Sequence, residues 1–66
     1  MLDLGPELRC RRRDLGLTQA QVADLAGVSE RFVRDLERGK PAVQLDSLRK
    51  VLDALGVELR LAVRST

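Results

Sequence analysis

The 66-residue sequence predicts a mainly α fold, four short helices closed by one β-strand. Three observations carry that reading. Apolar residues recur at helical spacing through most of the chain, and glycines at positions 16, 27, 39 and 56 stand where helices would end. The stretch Thr18 to Glu37, TQAQVADLAGVSERFVRDLE, reads as two short helices joined by a tight turn. After Gly56 the apolar period falls to two, as in a half-buried strand.

The first helix is expected from Pro6 to Leu15. Pro6 suits a helix first turn and Glu7 suits its positive end. Leu8 and Leu15, seven apart, share one face, with Arg12 between them on that face. Gly16 is the expected cap. Thr18 and Gln21 then form a Thr-x-x-Gln capping box that starts a second helix, Gln19 to Ala26, with Val22, Ala23 and Ala26 inward. Gly27 ends it with a left-handed turn, and Val28 plugs the turn. Ser29 caps a third helix over about Glu30 to Arg38, with Val33 and Leu36 inward. A loop from Lys40 to Gln44 leads to a fourth helix, Asp46 to Leu55. Its Leu48, Val51, Leu52 and Leu55 follow the i, i+3, i+4, i+7 pattern. Val57, Leu59, Leu61 and Val63 then face one side of a strand over 57–64, and Glu58, Arg60 and Arg64 the other.

A chain this short is one domain, helical over 5–56, and as a monomer it buries only roughly 60% of its unfolded surface. It needs a disulfide framework, a metal, a very regular core or a partner subunit. One cysteine and no histidine exclude the first two, zinc sites and histidine acid–base chemistry. No cofactor or metal is expected. Without histidine, tyrosine or a glycine-rich phosphate loop, no enzyme is expected either. Cys10 reads as a partly buried small residue, set against a thiol activated by its arginine neighbours. Phe32 is the only aromatic residue, too few for base-stacking platforms. The net charge is only +2, yet Arg9, Arg11, Arg12 and Arg13 fall within five residues. That cluster suits a phosphate backbone, or is a solvated helix face. No long apolar run or signal peptide occurs, so no membrane contact and a cytoplasmic location are expected.

Two helices joined by so short a turn must cross steeply. Small Ala23 permits close approach, and the outer face of the third helix is left standing free, at a width that suits a DNA major groove. The pattern Thr-Gln-x-x-Val-Ala-x-x-Ala-Gly-Val-Ser-x-x-x-Val-x-x-Leu-Glu-x-Gly, from Thr18 to Gly39, resembles the helix-turn-helix of the phage-repressor-like family, the XRE or Cro/CI class. The resemblance extends over about residues 5 to 56 and implies a lambda-repressor-like four-helix domain that binds double-stranded DNA and regulates transcription.

By position, the resemblance gives Gln19 a DNA phosphate, against mere solvation of a helix N-terminus. It places Ser29, Glu30, Arg31, Arg34 and Asp35 at the DNA surface. Arg31 is suited to guanine O6 and N7, and Glu30 to cytosine N4. Phe32 stands either against a thymine methyl or at a rim contact with the fourth helix or a partner. Arg12 and Glu37 resemble the family's internal ion pair, since a charge on an apolar face should not be buried unpaired. Arg12 is also a phosphate candidate, as are Arg11, Arg13 and Lys40. Acidic residues on the reading helix point to selection by repulsion as well as attraction.

One strand is not a sheet, so Val57, Leu59, Leu61 and Val63 are expected to form a homodimer by antiparallel pairing with a second copy. Centring the pair on Leu59 sets Glu58 against the mate's Arg60, and centring it on Leu61 sets Glu58 against Arg64. Centring on Arg60 would oppose like charges. The apolar face would lie over the fourth helix of both subunits. A four-helix domain followed by LDALGVELRLAVR is similar to the HipB-type antitoxins. That likeness implies an autoregulating repressor with a HipA-type kinase toxin as partner. The alternatives are a stand-alone or phage-type regulator, or a toxin-neutralising interaction module that binds DNA weakly.

Overall fold

The computed structural model describes residues 4–39 and 43–58. Four helices follow in order: α1 (Gly5–Asp14), α2 (Gln19–Ala26), α3 (Glu30–Glu37) and α4 (Leu45–Leu55). Four boundaries differ by a residue from expectation, one of them the end of α1 at Asp14 rather than Leu15. α1 and α4 each begin one residue early, and α3 ends at Glu37, with Arg38 as its C-cap.

Local chemistry sets these ends. At α2 the capping box is complete: the Gln21 backbone N–H donates to Thr18 Oγ1 at 3.1 Å, and the Thr18 N–H to Gln21 Oε1 at 2.8 Å. Ser29 caps α3 by accepting from the Phe32 N–H at 3.0 Å. Between them Gly27 adopts φ 71°, a left-handed backbone that side chains disfavour. The Val28 N–H then reaches back to the Ala23 carbonyl at 3.0 Å, which closes α2 and directs Val28 onto the core. The same reversal ends α1 and α4.

The core is built from Leu8, Val22, Ala23, Val33, Leu36, Leu48, Val51, Leu52 and Leu55. α2 packs against both α3 and α4, and α1 rests on the same two helices. Every helix therefore lends one stripe to a single shared interior.

Gly5 marks the closest approach. A Cβ built there would lie 2.5 Å from the Glu37 carbonyl oxygen and 3.0 Å from that of Leu36. The first turn of α1 thus sits directly on the backbone at the end of α3, an approach that only glycine permits.

Two expectations are corrected. Leu15 is exposed rather than inward. α1 stops at Asp14, and the reversal at Gly16 brings Leu17 back onto the core instead. Cys10 is exposed, not partly buried, because it lies on the side of α1 opposite Leu8 and Arg12. Val57 and Glu58 are outside any regular element, and Val57 packs against the core. The remaining strand positions, Leu59, Leu61 and Val63, lie outside the described residues, as does Lys40. Among the described residues, no helix is long and apolar enough to cross a membrane.

Candidate nucleic-acid interface

α3 shows one buried side and one polar side. Val33 and Leu36 are buried, and Phe32 is half-buried against the core. Ser29, Glu30, Arg31 and Arg34 are exposed, and Asp35 is half-buried. The polar side carries two pairs one turn apart. Arg34 Nη2 lies 3.5 Å from Glu30 Oε1, and Arg31 Nε lies 3.9 Å from Asp35 Oδ2. Exposed i,i+4 pairs of this kind are worth only about 0.3–0.5 kcal/mol, so a stronger partner readily exchanges for them. Arg31 is the freest of the four, its side chain 86% exposed.

What holds this helix in place is a charged joint at its end. The Arg12 Nε donates to Glu37 Oε2 at 2.7 Å and its Nη2 to Oε1 at 3.0 Å, a two-pronged pair. Arg12 Nη1 donates to the Leu17 carbonyl at 2.8 Å. Gln19 Nε2 donates to Glu37 Oε1 at 3.2 Å. The Glu37 carboxylate therefore ties α1 and the first residue of α2 to the end of α3, and Arg12 adds the α1–α2 turn. The side chains of Arg12 and Glu37 are only 11% and 6% exposed. Burial alone would push the Glu37 carboxyl up. The hydrogen bonds from Arg12 and Gln19, with the charges of Arg12 and Arg9, outweigh burial and hold it below the usual carboxylate range. The bond to Glu37 outweighs burial at Arg12 too and raises its guanidinium further. Both groups are charged at neutral pH.

The arginine cluster of α1 does not form a patch. Arg12 is consumed in the joint. Arg11 Nε donates to the Leu55 carbonyl at 2.9 Å, where it satisfies the end of α4. Arg13 is exposed. Arg9 lines an open cleft of about 620 Å³ between α1, the start of α2 and α3. The Arg11 contact bridges 44 residues and had no local sequence signal. The Gln19–Glu37 bond was hidden in the same way. The geometry brings Glu30, Arg34, Gln19 and Arg12 around that cleft, while Arg31, Phe32 and Asp35 do not line it.

A helix-turn-helix family model matches residues 8–61 of the chain. Among curated proteins the chain is similar to the helix-turn-helix-type transcriptional regulator y4mF of Sinorhizobium fredii. The two are 40% identical over 57 residues, 86% of this chain and 75% of that protein. It is 31% identical over 62 residues to the immunity repressor protein of Bacillus phage phi105, covering 94% of this chain and 43% of the other. It is 43% identical over 58 residues to the candidate antitoxin HigA2 of Mycobacterium tuberculosis, covering 86% of this chain and 57% of the other. The chain thus spans about half the length of the last two.

Proposed function

The chain belongs to the XRE-type helix-turn-helix family of transcriptional regulators, and on that premise we propose that it is a sequence-specific DNA-binding repressor that acts as a homodimer. The carrying observation is α3: an exposed polar face whose orientation is fixed by the Arg12–Glu37–Gln19 joint behind it. Arg31 reads a guanine edge and Glu30 accepts from cytosine, with Arg34 and Asp35 beside them. Ser29 holds the N-terminus of the reading helix at the groove. Phe32, packed on the core, has only its outer edge for a thymine methyl. Gln19 keeps one amide N–H at the joint and offers the other to a phosphate. Arg12 serves the frame, and Lys40 adds a backbone contact.

The dimer reading rests on the alternation of Val57, Leu59, Leu61 and Val63. A groove of about 440 Å³ along α4, lined by Leu45, Leu48, Leu52 and Val57, supports it. Leu45 is 70% exposed there, with Arg49, Asp53 and Glu58 at the edges of the groove, an apolar strip with a charged rim suited to the strand pair. Within the repressor reading we favour an autoregulating antitoxin of a HipA-type kinase toxin, from the likeness of the tail. The phage repressor and the candidate antitoxin among the relatives support repressor and antitoxin roles generally. They keep open a stand-alone or phage-type regulator and a toxin-neutralising module. A kinase co-purifying from the native operon distinguishes the antitoxin.

Footprinting on the DNA upstream of the chain's own gene tests the reading. Two protected half-sites about 34 Å apart, one helical turn, are expected. Leu61→Asp is expected to give monomers and erase the footprint. A single short footprint, or a dimeric Leu61→Asp variant, contradicts the strand-paired dimer.

A further inference from the structure

We propose that the cleft bounded by α1, the start of α2 and α3 seats one DNA backbone phosphate between Arg9 and Arg38, and that these two arginines carry sequence-independent affinity while α3 carries discrimination. The inference rests on the DNA-binding reading above and assigns a division of labour within it.

Charge accounting leads to it. The polar face of α3 is self-neutralised, with Glu30 against Arg34 and Arg31 against Asp35. It brings no net charge to a polyanion, so it can select bases but gains little from phosphate attraction. The cleft differs. Four arginines line it (Arg9, Arg12, Arg34 and Arg38) against two glutamates, Glu30 and Glu37. Glu37 is cancelled by Arg12, and Glu30 by Arg34. Arg9 and Arg38 remain. Both are exposed, and among the described residues neither closes an ion pair. Four arginines against two glutamates leave a surplus of two positive charges in one concavity. Arg9 lines the cleft, and its charge helps hold the Glu37 carboxyl down.

Shape agrees with charge. The cleft is open to solvent and far larger than one phosphodiester, so a phosphate enters with its sugar and neighbours still attached. Its floor is the Arg12–Glu37–Gln19 joint, already satisfied and rigid. A phosphate held there fixes the register of α3 in the groove without reading sequence, as backbone contacts do.

The test measures binding constants against salt for the full chain, on the duplex upstream of its gene and on a scrambled duplex of equal length. The double variant Arg9→Gln/Arg38→Gln is expected to reduce the slope of log K against log salt by about 0.9, the worth of one phosphate, on both duplexes. The ratio of the two affinities stays at its wild-type value. Arg9→Lys/Arg38→Lys keeps the wild-type slope. Arg31→Ala does the reverse, collapsing the ratio and leaving the slope nearly intact. Thermal melts confirm that each variant is folded. A wild-type slope in Arg9→Gln/Arg38→Gln, or a changed affinity ratio in it, overturns the proposal. Competition by inorganic phosphate at matched ionic strength, with no DNA-slope change in the variants, would assign the cleft to a free anion and overturn it too. If the wild-type chain binds neither duplex, the DNA-binding reading itself fails, a distinct result.

Discussion

Replacing Glu37 with glutamine removes one charge from the joint and leaves the rest of the fold in place. The neutral amide can accept from Arg12 at one atom only, and its own N–H groups then face the donors of Arg12 and Gln19. Arg12, whose side chain is 11% exposed, is left charged and largely buried without a counter-ion. Removing one partner of such a pair costs about 3–5 kcal/mol. The chain's total stability, at roughly 0.05–0.15 kcal/mol per residue, is of the same order. Glu37→Gln should therefore be close to unfolded at 25 °C, with urea unfolding followed by far-UV circular dichroism as the assay. The double variant Arg12→Met/Glu37→Leu should recover much of the loss, because an apolar pair of similar volume replaces the buried charges without their desolvation cost. It should nonetheless bind DNA more weakly, since Gln19 loses its anchor. A Glu37→Gln protein less than about 1 kcal/mol below wild type would refute the reasoning. It would mean that the pair behaves as an exposed one.

Three further outcomes follow from the same geometry. Because Glu37 is held below its ordinary range in the fold, its contribution is present above the unfolded carboxylate value, about 4.3, and is lost as pH falls through the folded value. Urea midpoints measured from pH 7 to pH 3 should drop in wild type, and less steeply in Arg12→Met/Glu37→Leu. Gly5→Ala drives a Cβ into the backbone of Leu36 and Glu37, a clash costing about 1–3 kcal/mol, and at the first residue of α1 the gain in helix propensity offsets little of it. Net destabilisation by calorimetry is expected, and a raised melting temperature would show that the two helix ends can part freely. Thr18→Ala should cost about 1 kcal/mol through the lost cap on α2.

Sequence made the frame legible where the signals are local. The Thr18–Gln21 box, the Ser29 cap and the Gly27 reversal each lie within a few residues, and helix ends came within one residue. A charge on an apolar stripe demands a partner, and the family resemblance named Glu37 for Arg12 across a separation of 25 positions. What stayed hidden depends on tertiary placement. Arg11, Arg12 and Arg13 are adjacent in the chain, yet they end on α4, in the joint and in solvent. Leu15 fits the apolar period but falls just beyond the last helical residue, so the turn rather than the period decides its exposure. Arg9 and Arg38 become a pair only once α1 and α3 are packed. Neither neighbourhood in the sequence suggests the other.

The central claim is that α3 reads bases from a rigid frame. Affinities of wild type and Arg31→Ala across a panel of single base-pair variants of the protected half-site test it most directly. The account predicts that Arg31→Ala loses about 1–3 kcal/mol on the parent site, discriminates no longer at one G·C pair, and keeps its preferences elsewhere. An equal loss of affinity on every member of the panel, with all preferences intact, would contradict it.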